Sequence, residues 1–346
     1  MTRADLLRRL VDLGLPVNAA SERLEPVPAQ ASWVVRSLLG VMGWLGGLMV
    51  LGFFAMFVSG LLDSQPGLAV LSVSLFVGAH ALYRAAPHHD FANQAALAAS
   101  ICAQALAMVL FFKLMGSRSH TQVALLVAAL QLGLVWWMPN YLHRLISMFF
   151  AVTALFVAAE RGPWTALVLL AVAGAFAALA LTESRWMARG QRDRVAPAWA
   201  GLALGLLCAG VAHATQFDRV AVLPSTIWTG MALSFAFFMY CLYAMDGVET
   251  RDRQYGGMAA MLFWMAAFRA PGLIACALVL IAAFRSGRQA FVGLALIALL
   301  GTLIGYYYQM DATLLKKSGV LALCGVAMLL AWGGHRRAYP GAKEGA

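Results

Sequence analysis

Apolar runs of about 18 residues or more recur from Ser37 almost to the C-terminus, and no other feature narrows the fold as far. Lipid offers no hydrogen bonds to a backbone, so a run of this kind must be a helix whose amides and carbonyls satisfy one another. Only 12% of the 346 residues are charged, against about 25% in a soluble domain. A large soluble helical core would need polar faces on its helices, and most of these runs have none. The expected fold is therefore all-α, a polytopic membrane bundle of ten to twelve spans.

The spans are expected at 37–62, 67–86, 91–112, 121–138, 145–159, 163–181, 197–215 and 225–245. An interrupted region at 255–284 follows, and runs at 290–308 and 312–332 close the chain. This divides it into a 1–36 segment, a 37–332 membrane domain and a 333–346 tail. In the first segment Thr2 and Asp5 fit a capping box, Leu6, Leu10 and Leu13 repeat at helical spacing, and Gly14 and Pro16 end a short amphipathic helix. The stretch 264–318, with its break at Arg269, Pro271 and Gly272, is expected to lie at the centre of the bundle.

The pieces on either side of that break each reach roughly 20 Å at about 1.5 Å per residue, short of a bilayer core of about 30 Å. Two short tilted spans or a re-entrant hairpin would return the chain to its starting side; one kinked span would not. Charge separates these forms. With an even count, about 18 of the 25 Lys and Arg fall on one side, which the positive-inside rule makes cytoplasmic. Both termini are then expected in the cytoplasm, with the chain in the plasma membrane.

The net charge of +10 is explained by that rule and does not require nucleic acid. The cysteines Cys102, Cys208, Cys241, Cys276 and Cys324 all fall in apolar runs and read as packing residues. His88, His89 and Asp90 adjoin, but no second ligand cluster stands at recognisable spacing. No cofactor or resident metal is expected. Neither a Gly-x-Ser-x-Gly elbow, a His-Glu-x-x-His pair nor a phosphate loop is present, and an enzyme is not expected.

Three groups of residues stand out against this background. Arg269 precedes Pro271 and Gly272, so a half-helix starting there would aim its first amides and the guanidinium at one spot, an anion site; the competing reading is an arginine snorkelling from a loop tip. His80 and His213 are ionisable groups within spans, where such groups are functional candidates, although a neutral histidine bonded to a neighbouring helix is the commoner outcome. Gly43 and Gly47 share one helix face, as do Gly201 with Gly205 and Gly301 with Gly305, a spacing that lets backbones approach closely. The Gly43–Gly47 face is the favoured docking surface for a partner, packing within the bundle being the other reading. Tyr306, Tyr307 and Tyr308 form an interfacial aromatic belt, with Asp311 capping the next helix and Lys316 and Lys317 about one turn inside it. That edge is the second candidate for docking.

The Ser32-Trp33-Val34-Val35-Arg36 entry, the Gly43-Trp44-Leu45 segment, the Phe284-Arg285-x-Gly287 turn and above all YYYQMDATLLKKS from Tyr306 to Ser318 resemble a bacterial membrane family, domain of unknown function 4401. The resemblance covers most of the chain and implies no reaction or catalytic residue. It does imply a two-component assembly with a second multi-span protein that carries a Gly-Asp-Tyr-x-x-Leu-x-Tyr segment. The function expected from all of this is a non-catalytic subunit of an envelope membrane complex. A carrier for an anionic solute, using Arg269, is the runner-up.

Overall fold

A computed structural model describes residues 41–49, 59–87, 89–116, 120–159, 164–215, 224–244 and 270–309, with isolated positions at 38, 52, 56, 315, 318 and 319. Among them every regular element is a helix. They are α1 (41–49), α2 (Ser59–Leu62), α3 (Gln65–Ala85), α4 (Asp90–Met115), α5 (His120–Trp137), α6 (Tyr141–Ala159), α7 (Trp164–Ala188), α8 (Arg192–Thr215), α9 (Pro224–Ala244), α10 (Pro271–Arg285) and α11 (Gln289–Gln309). Seven described helices are long and apolar enough to cross a membrane, and α10 is a shorter apolar helix. The chain is thus a multi-pass membrane protein of the all-α class.

Residues 61–72 and 104–346 form one compact unit. Its hub is α8, which touches α6, α7, α10 and α11; the stretch after Arg269, expected at the centre, packs around it. Small residues allow this. A Cβ on Gly201 would meet Leu145 O and Met148 Cβ of α6 at 2.6 Å, and one on Gly205 would meet Val152 Cγ1 at 2.5 Å. Apolar burial gains little where the alternative solvent is lipid, so such helices cohere through close van der Waals packing and interhelical hydrogen bonds. Trp199, Ala203 and Leu206 of α8 are fully buried among Phe176, Leu233, Ile274 and Leu278 from three other helices.

Several helices run past the hydropathy edges. α6 begins at Tyr141 rather than 145, because the Asn140 side-chain oxygen accepts the His143 amide (3.1 Å) and caps the first turn. α7 continues from 181 to Ala188, and α8 starts five residues earlier than expected, at Arg192. These extra turns are polar, and they carry Arg144, Glu183, Arg185 and Asp193 on helices rather than in loops.

Residues 1–60 and 73–103 form the other unit. Here the docking expectation for Gly43 and Gly47 is corrected: both are buried, and the chain's own α4 fills the space in front of them. A Cβ on Gly43 would lie 2.8 Å from Gln94 Cβ, and one on Gly47 would lie 3.0 Å from Ala98 Cβ and 3.1 Å from Ala95 Cα. Gly43→Leu is therefore expected to destabilise this unit by about 1–3 kcal/mol, the usual cost of overpacking. Thermal unfolding of the purified variant in detergent checks it, and an unchanged melting temperature would restore the face to partner docking.

Candidate functional site

The turns at 138–140, 189–191 and 286–288 gather at one end of the larger unit, where arginines dominate. The α10–α11 turn sets the geometry. Gly287 adopts φ +67°, a left-handed conformation that a Cβ disfavours. The Arg288 amide then reaches back to Ala283 O (2.9 Å) and the Gly287 amide to Phe284 O (3.1 Å), which closes the helix end. This hooks Arg288 over the hub. Its guanidinium lies 4.1 Å above the Trp199 ring and donates to Glu183 Oε1 on α7. Trp199 is in turn clamped between Phe291 (5.1 Å, edge-on) and Phe176 (5.2 Å). Pairing and stacking together offset the cost of holding this cation in a partly dry site.

Pro197 shapes the neighbouring contact. Proline has no amide hydrogen, so inside α8 it leaves the carbonyl four residues back, that of Asp193, without its helical partner. Arg144 Nη1 of α6 donates to that carbonyl at 2.7 Å. Two further arginines lie over tryptophans, Arg194 on Trp136 (5.2 Å) and Arg189 on Trp186 (5.4 Å). Deeper in the same unit runs a buried polar chain. Gln131 Nε2 donates to Gln104 Oε1 (2.8 Å), and the Gln104 amide stands 3.4 Å from His143 Nε2. With Nε2 accepting, His143 Nδ1–H faces Ser147 Oγ at 3.3 Å. These side chains tie α4, α5 and α6 together where lipid would satisfy none of them.

Between α6, α7, α8 and the α10–α11 turn lies a pocket of about 600 Å³. Its polar lining is Tyr141, Glu183, Arg192, Asp193, Ser286, Arg288 and Gln289, and its apolar lining is Met187, Ala196, Ala290 and Phe291. Charges of both signs and an apolar wall suit an amphiphile or a zwitterion. Among the described residues no group of three His, Cys, Asp or Glu could hold a metal ion.

Of the described residues singled out in the sequence, the structure brings Gly272 and Tyr306 together. Arg269, Lys316, Lys317 and the side chain of His213 lie outside the described residues, as do all of 1–36 and the tail. His80 is half-buried on α3, in a helix remote in sequence from the pocket lining. Gly272 opens α10 as expected, but its amide faces Tyr306 Oη at 3.4 Å, and the backbone of Gly210 on α8 presses on its α-carbon. That packing occupies the first turn with protein groups, so an anion site there finds no support. Tyr306 separates from its neighbours: it is buried, whereas Tyr308 is 77% exposed and stacks edge-on with Tyr307 at 5.6 Å. The docking edge expected from three tyrosines thus loses one of them to the interior.

Sequence reading missed the pocket because its charges counted only as loop basics and span ends. Two acids, Glu183 and Asp193, among Arg185, Arg189, Arg192 and Arg194 at adjoining span ends were the available signal. Comparison with curated proteins and with solved structures finds no match. The family described as domain of unknown function (DUF4401) matches residues 32–338, nearly the whole chain. The family resemblance read from the Tyr306–Ser318 segment and the entry motif is therefore confirmed, and this all-helical membrane protein belongs to that family.

Proposed function

We propose that the chain is a non-catalytic subunit of a membrane complex, and that a second multi-span membrane protein docks on the outward face of α11. One observation carries the reading. Gly293, Ile297, Leu300, Gly301, Ile304 and Tyr308 share an arc of about 100° on this helix, with Ile297 68% exposed. A Cβ added at Gly293 or Gly301 would meet nothing within 4 Å among the described residues. A helical glycine costs roughly 0.5–1 kcal/mol relative to alanine, and a lipid-facing position gains nothing in return. Close approach of another backbone does return something. Gly43, Gly47, Gly201 and Gly205 serve that purpose inside the chain; Gly293 and Gly301 have no such neighbour among the described residues. The two-component assembly implied by the family resemblance supplies the occupant, the protein with the Gly-Asp-Tyr-x-x-Leu-x-Tyr segment.

The test places a photo-crosslinking residue at Ile297 in membranes that also contain that protein. The expected result is an intermolecular adduct, together with a tenfold drop in co-purification for Gly301→Leu. A crosslink only to this chain's own 312–332 run, or only to lipid, would sink the reading.

A further inference from the structure

From the pocket at the arginine-rich end we infer a second function, independent of the α11 face: it binds the phosphoethanolamine headgroup of a membrane lipid. Depth comes first. The lining residues sit at the ends of four candidate spans, Tyr141–Ala159, Leu167–Ala188, Arg192–Ala212 and Gln289–Tyr308, which is where headgroups lie. Basic pockets between membrane helices are established headgroup sites.

The charges select the kind of head. Glu183 and Arg288 satisfy each other. That leaves Arg192 and Asp193, both exposed, adjacent at the start of α8, and without an ion pair among the described residues. One positive and one negative group side by side match a head that carries a phosphate and a primary ammonium. Arg192 offers the planar fork that phosphate accepts from, and the Asp193 carboxylate accepts from the ammonium. A purely anionic head would be repelled by Asp193, and a quaternary ammonium has no N–H to donate to it. The apolar wall then has a role: Phe291 and Met187 border the pocket where a lipid's glycerol and first methylenes would continue. A volume of about 600 Å³ is in the usual range for small-ligand sites.

Native mass spectrometry of the full chain, exchanged into phosphatidylethanolamine, phosphatidylglycerol or phosphatidylcholine, tests this directly. The expected result is at least fivefold greater retention of phosphatidylethanolamine than of either other lipid. Arg192→Gln should weaken all phosphate retention, while Asp193→Asn should erase the preference for ethanolamine over choline. Both side chains are exposed, so Arg192→Gln should keep the wild-type melting temperature; Asp193→Asn keeps the backbone carbonyl that holds Arg144 and should lower it only slightly, through the carboxylate's lost attraction for Arg144 and the start of α8. Equal retention of the three lipids, or retention untouched by both substitutions, would overturn the assignment. So would soluble phosphoethanolamine binding as tightly as the lipid, since the site would then serve a solute.

Discussion

Gly272→Ala is expected to be among the most damaging single methyls that can be added at the described glycines. On α10 the new Cβ would fall inside the contact distance of Gly210 O and 3.1 Å from Gly210 C, both main-chain atoms of the hub helix. Backbone cannot swing aside as a side chain can, so the α8–α10 contact must open. Overpacking of this kind costs about 1–3 kcal/mol, and Gly272→Leu should prevent assembly of the unit. Gly210→Ala should be milder, because its Cβ would stand 3.0 Å from Gly272 O and 3.4 Å from Cys276 Sγ. Gly293→Ala, with open space ahead of it, should be neutral or stabilising. The measurement is thermal unfolding in detergent, read by thiol-dye reaction in a version whose one remaining cysteine is Cys276, which is fully buried. A Gly272→Ala protein that melts with the wild type would show that α8 and α10 do not touch as described.

The second large effect belongs to Glu183. Its side chain is 11% exposed and that of Arg288 is 18%, so neither ion has much water to fall back on. Glu183→Leu leaves the guanidinium pinned over Trp199 without its counter-charge, at an expected cost of about 1–3 kcal/mol. Arg288→Met strands the carboxylate and should cost as much. The double variant Glu183→Leu with Arg288→Met should recover most of the loss, because an apolar pair of similar volume pays no desolvation. A double-mutant cycle on unfolding free energies checks this, with an interaction of about 0.5–3 kcal/mol expected for residues in contact. Strict additivity of the two single changes would mean that the ion pair does not hold the α10–α11 turn.

Both effects depend on partners far apart along the chain, and that separates what could be read early from what could not. Hydropathy located α3 through α9 to within a few residues over their apolar lengths. It misjudged their ends at Tyr141, Ala188 and Arg192, because a transfer scale sees a polar side chain and not the cap or neighbour that satisfies it. Asn140 capping His143, and Arg144 completing the carbonyl freed by Pro197, are local consequences of specific groups meeting. Gly43/Gly47, Gly201/Gly205 and Gly301/Gly305 are indistinguishable as spacings. Structure alone shows that α4 fills the first and α6 the second, while no described residue faces Gly301.

By itself the sequence determined the solvent, the class and the family: a chain so poor in charge and so rich in long apolar runs has only helices available to it in lipid. Tertiary structure decided which glycines are contacts, that Tyr306 turns inward to Gly272, and that Glu183 meets Arg288 across 105 residues. The physical reason is range. Backbone satisfaction is settled within four residues of each amide and is written locally, whereas pairing of buried charges and close helix approach depend on which faces the fold sets opposite one another.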